Sequence, residues 1–319
     1  MGGAVFLLFL TNLLYTIMTK LLSKAAVVAL SAIVASPCLS ARTIWDGSAD
    51  TEWEGDGSPG NPYLISSAAE LAGLAKRTNA NETFEGKYFR LTSDLWLSDT
   101  ATPDKDKPLW DPIGMSNINN DDPEQNPGGF WSEDFWFKGN FDGDGHTIHN
   151  LWYAHDSEFV DNFDDPFNDG TFDFTGWSKS LFGNIENATI TNLKLENANI
   201  QSVLQGAVLV CVAKNSTITD IAVDGLIMCG TSEREGGAAG GIVAEAEGTT
   251  FERCSSAASV RSVSGAGGLT AQLTSCTVRD CVSTGRVASM RGAGGLAGFV
   301  LSGSEITDSR PRGRVLRHC

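Results

Sequence analysis

Proline is scarce and charge is modest in this chain, with 10 Pro and 19% charged residues in 319, against 35 Gly. The combination excludes both a Pro-rich disordered tail and a charge-laced helical bundle, and suits a polypeptide that turns often. At that length a sizeable core can be buried in one or two domains. The seven cysteines include no Cys-x-x-Cys and no His-paired zinc spacing, so neither a redox dithiol nor a zinc finger is encoded. Cys254 and Cys281 lie 27 residues apart; they read as small buried hydrophobes, with a disulfide between them in an oxidising compartment as the alternative. A phosphate-cradling loop is also missing, because neither Gly265-Ala-Gly-Gly nor Gly292-Ala-Gly-Gly opens a helix or carries a Lys-Ser/Thr pair.

Basic residues run short in the first half. Residues 42–180 carry 27 Asp+Glu and 9 Lys+Arg, whereas 181–319 carry 12 of each. An acidic half repels phosphate backbones, which argues against a nucleic-acid partner and leaves cations, cationic surfaces and neutral glycans. Solubility in a crowded exterior is the plainer reading of the same charge.

Long apolar runs are confined to the beginning. From Met18 a basic stretch (Lys20, Lys24) precedes the apolar residues Ala25 to Val34 and a small-residue end at Ser36-Pro-Cys-Leu-Ser-Ala41. This order is that of a secretory signal, cleaved after Ser40 or Ala41. The apolar residues 4–17 upstream point to Met18 as the true start, with an uncleaved two-part membrane anchor as the alternative. Pro37 speaks against acylation of Cys38 as a lipoprotein. Residues 1–41 are thus a targeting segment, and no membrane association is expected beyond this export signal.

What is present is repetition. From residue 180 onward Ser180 to Leu193, Gly206 to Ile221, Ala239 to Cys254, Ala266 to Cys281 and Ala293 to Ser309 share one plan: a small or Gly-rich pair, an apolar residue, a polar turn, then a β-branched or apolar residue before a polar one. The apolar position of the second element falls at Ile190, Ile218, Phe251, Val278 and Ile306, at spacings of 28, 33, 27 and 28. The longer interval places an insertion near Ser232 to Gly237. A third element recurs as Gly285-Arg-Val287 and Gly313-Arg-Val315, so three short strands per coil are expected. Thr189-Ile-Thr-Asn-Leu-Lys-Leu195 and Thr217-Ile-Thr-Asp-Ile-Ala-Val223 alternate apolar with polar and are rich in β-branched residues, which is a strand pattern. Such coils bury their inward residues only by stacking. The pairs Gly240-Gly241, Gly267-Gly268 and Gly294-Gly295 read as corners, where glycine reaches positive φ and lets backbones approach closely.

Three segments follow: targeting over 1–41, an acidic and aromatic N-terminal cap with irregular early coils over 42–180, and Gly-rich repeats of about 27 residues over 181–319. In the second, Ser67-x-x-Glu70 is a capping box opening a short amphipathic helix from Ala68 to Lys76, with Leu71, Leu74 and Ala75 on one face. Such a helix can cover the open end of a solenoid. The chain closes on Arg310-Pro-Arg-Gly-Arg-Val-Leu-Arg-His-Cys319 with no capping segment, as a truncated or frame-shifted gene would, or as a basic tail.

Pro62-Tyr63-x-Ile65 with Glu70-Leu71 and Leu74-Ala75, Leu91-Thr-Ser-Asp94-Leu95, Trp110-x-Pro112-Ile113-Gly114, and Phe137-x-Gly139-x-Phe141-Asp142-Gly143-x-Gly145-His146-Thr147-Ile148 come in an order that, with Leu181-Phe182-Gly183 and the repeats, resembles bacterial exported proteins with GLUG-type repeats. The resemblance covers about residues 45–315. It implies an all-β, right-handed single-stranded parallel β-helix on a bacterial surface or in secreted material, adhesin-like, serving attachment or scaffolding. The name motif Gly-Leu-x-Gly is complete only at Gly295-Leu-Ala-Gly298; Gly268-Leu-Thr-Ala271 and Gly241-Ile-Val-Ala244 end in Ala. Some relatives are parts of immunoglobulin-cleaving metalloproteases, whose zinc-binding His-Glu-x-x-His this sequence lacks.

Two constellations carry candidate chemistry. Asp142-Gly-Asp144-Gly beside His146 and His149 could hold Ca2+, although the other positions of a 12-residue calcium loop are unfilled; no further cofactor or metal is expected. Strand alternation would put His146 and His149 on opposite faces; a hydrogen-bonded turn histidine is the plainer role, and His155 adds no metal set. Between Trp110 and Phe182 lie 16 of the 28 aromatic residues, interleaved with acids, and there Trp131, Trp136, Trp152 and Trp177 are candidates for stacking on sugar rings. The competing role is a packed plug over the early coils. Coils 181–319 show no recurring outward acid or base cluster, so a non-catalytic binding or scaffolding module is expected, with a carbohydrate-active β-helix enzyme or a fragment of a longer adhesin as alternatives. Glycan or cell-surface ligands fit; the oligomeric state is not encoded legibly.

Overall fold

The computed structural model describes residues 42–100, 107–115, 135–153, 178–202, 204–230 and 237–317. The targeting segment, Trp131, His155, Trp177 and all but Gly237 of the insertion lie outside the described residues. Every pair of named strands is parallel, in one large sheet of 17 strands and two of five. The chain is therefore all-β with a single described helix, wound as stacked coils.

One column shows the stacking. Tyr63, Phe89, Phe141, Ile190, Ile218, Phe251, Val278 and Ile306 pair in register from coil to coil. The five positions expected from the repeat are thus neighbours, and the ladder runs back through the acidic front half without a break at residue 180. At roughly 4.8 Å per coil the column spans about 34 Å. The Gly-Arg-Val elements also stack, Val287 on Val315.

The coils over 178–202 and 205–229 each hold three strands, as expected, whereas the later coils are more finely divided. Gly265–Gly267, Thr270–Thr274, Thr277–Arg279, Val282–Ser283 and Val287–Ser289 make up one coil, and each pairs with its counterpart on both sides. Residues with left-handed backbone mark two recurring bends, and at the second of them the strand is continuous in the first two repeats but interrupted in the later ones. Asn187, Asn215, Gly248, Ser275 and Gly303 hold one turn at φ between 47° and 79°, and Asn192, Asp220, Arg253, Asp280 and Asp308 a second at φ 50–56°. Asn and Asp tolerate this region better than other side chains because they hydrogen-bond locally.

The expectation for the Gly pairs is corrected in part. None of Gly240, Gly241, Gly267, Gly268, Gly294 or Gly295 has positive φ. Their glycine is required by close approach: a Cβ on Gly240, Gly267 or Gly294 would overlap the carbonyl oxygen of Val243, Thr270 or Ala297. The Gly-rich strand and the strand after it turn back on each other too tightly for any side chain there.

The helix, α1, spans Ala68–Thr78, two residues beyond the expected end. The capping box forms: Ser67 Oγ accepts from the Glu70 amide at 3.2 Å, and Glu70 Oε2 accepts from the Ser67 amide at 3.0 Å. Leu71, Leu74 and Ala75 join the core. Ser67→Ala is expected to lower stability by about 1 kcal/mol, read from the denaturant midpoint at unchanged slope. Beyond α1 the core is aromatic, with Phe137 5.3 Å and Phe141 5.4 Å from Phe182 between ring centroids. No helix among the described residues is long and apolar enough to cross a membrane.

Candidate functional site

Trp152 lies in a strand that pairs with Asn199 and Ile200, and the residue keeps only 4% of its surface exposed, which leaves little face for stacking on a sugar. Next to it Tyr153 is buried and donates its hydroxyl to the Ser180 carbonyl at 2.9 Å; burial holds the phenol protonated far above its ordinary range. Trp136 is half-buried, and the Lys214 ammonium lies 4.7 Å from its ring centroid. That cation already occupies one face of the ring.

Asp142 is committed within the protein. Its Oδ1 accepts from the Asp144 amide at 2.9 Å and from Asn192 Nδ2 at 3.0 Å, and its Oδ2 lies 3.6 Å from Arg90 Nε. These donors engage one oxygen of the carboxylate that a Ca2+ site would need, and Asp144 is exposed with φ 49° at the turn. Among the described residues no group of three His, Cys, Asp or Glu side chains gathers as a metal site.

The two histidines are not separated by alternation. Only Thr147–His149 is strand, so His146 belongs to the preceding turn. His146 Nδ1 lies 3.2 Å from Asp94 Oδ1, which also accepts from the Thr147 amide at 2.9 Å. Burial raises the pKa of Asp94, but the Thr147 amide and the His146 ring together outweigh it and leave the carboxyl below the ordinary 3.8. Its contribution to stability is therefore full above pH 3.8 and fades as the pH falls through the lower folded value. An NMR titration of Asp94 should place the midpoint below 3.8, and His146→Ala should move it upward.

The residues that the structure brings together lie on the outside of the large sheet. Leu95, Ile148 and Leu195 stack inward. The residues on either side of them in sequence form two outward columns. One runs Trp96, His149, Glu196, and the coils that follow extend it to Asp224, Ala257 and Thr284. The other runs Thr147, Lys194, Ala222, Ser255, Val282 and Arg310. Trp96 and His149 rings stack at 4.7 Å with 11° between planes, and His149 Nδ1 lies 3.6 Å from Glu196 Oε2. Between the columns a trough of about 240 Å³ is lined by Lys194, Glu196, Ala222, Asp224, Ser255 and Thr284, with Val282 and Ala257.

The turns shape this trough. Left-handed residues at Asn192, Asp220, Arg253 and Asp280 bend the chain before the short segments, and Asn197 and Gly225 bend it after them. Arg253 rivets one rim across two coils, with Nε 2.8 Å from Asp220 Oδ1 and Nη2 2.7 Å from Oδ2. Asp224 Oδ1 accepts from the Asn197 amide on the other rim.

Thiols are withdrawn from this surface. Cys211, Cys229, Cys254, Cys276 and Cys281 are all buried and unbridged. Burial pushes the Cys211 and Cys229 thiols up to about 12, which leaves them inert as nucleophiles. Cys254 and Cys281 stack in successive coils and pack as small hydrophobes in the core.

No family model matches the chain. Among curated proteins it is similar to "Halomucin" of Haloquadratum walsbyi (strain DSM 16790 / HBSQ001), 28% identical over 185 residues. The match takes in 57% of this chain but only 2% of that protein's length. Among solved structures it is similar to a putative immunoglobulin A1 protease from Bacteroides ovatus, with a TM-score of 0.56 and 18% identity over 82% of this chain and 69% of that one. A second, named IgA1 Protease, gives a TM-score of 0.39 and 15% identity, over 81% of this chain and 21% of that one. The first likeness establishes a shared fold.

Proposed function

We propose that the protein is an exported, right-handed parallel β-helix of the GLUG-repeat kind, acting at a bacterial surface or in secreted material as a non-catalytic binding, adhesion or scaffolding module. The strong preference of parallel strand crossovers for the right-handed sense supports that hand. The observation that supports the module most directly is the outer face of the coils. Thr189, Thr217, Thr250 and Thr277 stack in register, and Thr191 and Thr219 hydroxyls meet at 2.9 Å. A rigid, repeated hydroxyl surface serves adhesion without any reacting group.

One feature favours a second reading, a carbohydrate-active enzyme: the acidic residues Glu196 and Asp224 both line the trough, and glycoside cleavage needs two carboxyl groups. The likeness to a protein named as a protease does not extend to a zinc-binding His-Glu-x-x-His, which this sequence lacks. A glycan array combined with a polysaccharide-degradation assay on the purified protein separates the readings. Retention without release of reducing or unsaturated ends is expected; turnover would overturn the non-catalytic reading. Protease shaving of intact cells and culture-medium fractionation test export.

A further inference from the structure

We infer that the trough between the two outward columns binds a linear, neutral, hydroxyl-rich glycan lying along the axis of the coils. This rests on the reading of the chain as a binding module, and it assigns that module a site, an orientation and a ligand class. Four observations on the trough converge.

First, strand addition is not available as a binding mode. The backbone groups of Leu195, Val223, Ser256 and Ser283 are engaged coil to coil in the parallel ladder, so a ligand crossing them meets side chains only. Second, the charged groups on the lining are one ammonium, Lys194, and two carboxylates, Glu196 and Asp224. That balance repels a polyanion, yet it offers both donors and acceptors to hydroxyl groups, with Ser255 and Thr284 adding two more. Third, Ala222, Ala257 and Val282 leave apolar ground between the polar groups, as the alternating C–H faces and hydroxyls of a sugar chain require. These side chains are too short to fill the cleft, and the cavity of about 240 Å³ remains above them.

Fourth, the geometry is periodic. The lining advances by one coil, roughly 4.8 Å, at each step, a length close to one ring of an extended pyranose chain. A linear polymer can therefore keep its ring spacing in step with the coils, whereas a compact ligand would use one step. The stacked Trp96 and His149 rings continue the same column at its N-terminal end.

Calorimetric titration of the full chain with β-1,4-linked hexasaccharides of glucose, mannose and N-acetylglucosamine tests the site. At least one should bind, and Ala222→Met, which fills the trough, should weaken that binding by about tenfold or more. Gln272→Met, on an outward position of a different sheet, should leave it unchanged. If Ala222→Met fails to fold by circular dichroism, Lys194→Met, an exposed change, is expected to show the same direction of loss. No binding of any hexasaccharide, or equal binding by the trough variants and the wild type, overturns the assignment. Retention of the wild type on arrayed glycans that survives the trough changes would overturn this site alone, whereas absence of retention on any surface or glycan would overturn the module reading itself.

Discussion

Phe182→Ala is expected to destabilise the protein by about 3–5 kcal/mol, the largest effect of any single truncation proposed for it. Phe182 is fully buried, and its ring packs against both Phe137 and Phe141 of the preceding coil. It also pairs with Val210 in the following coil and bridges to Ile113 in the preceding stretch. Removing the ring leaves a void walled by strands whose positions are set by ladders on both sides, so little collapse can refill it. Guanidinium unfolding followed by tryptophan fluorescence should show the loss as a lower midpoint. Because Trp45, Trp53 and Trp110 all lie in the front half, this signal follows the coils that the substitution touches. An unchanged midpoint would mean that the front coils are not packed on Phe182.

Gly267→Ala is expected to cost about 1–3 kcal/mol or more by overpacking. One methyl group there would overlap the Thr270 carbonyl oxygen and press on the Gly298 amide, and neither can retreat without breaking its ladder. Gly60→Ala provides the control, since a Cβ at that exposed turn meets nothing within 4 Å. Thermal unfolding should therefore separate two changes that are identical in chemistry. If the two variants melted together, the tight return between the Gly-rich strand and its successor would be wrong.

The parts of the fold that were legible are those governed by burial. Ile190, Ile218, Phe251, Val278 and Ile306 declare their common column because an inward position tolerates only apolar residues, whatever the loop lengths between them. The capping box was legible for the same kind of reason, since Ser67 and Glu70 satisfy each other locally. The left-handed turns were less so. Asn192, Asp220 and Asp280 each follow another polar residue between two inward ones, a one-residue slip in the alternation that is easily read through, and Arg253 in the same stack gives no turn signal at all.

The trough was not legible for a related reason. Large aromatic residues attract attention, yet Trp152 is closed off from solvent while Trp96, in the short strand Leu95–Trp96, ends the column that leads into the trough. The trough holds small residues, Ala222, Ser255 and Ala257, beside charged ones, and they look like ordinary outward positions. Only the stacking of the coils and their bends turns that plainness into a cleft. The signal available was an alternation with unusually short outward residues in three successive repeats.

The 33-residue interval between Ile218 and Phe251, beside neighbours of 27 and 28, leaves the register on both sides intact. A coil is thus a unit of inheritance as well as of structure: a whole repeat gained or lost in frame moves every later contact by one step and breaks none. Unequal recombination between such similar stretches of gene could lengthen or shorten the protein without passing through an unfolded ancestor. Its length would then evolve in discrete increments, like the rungs of a ladder.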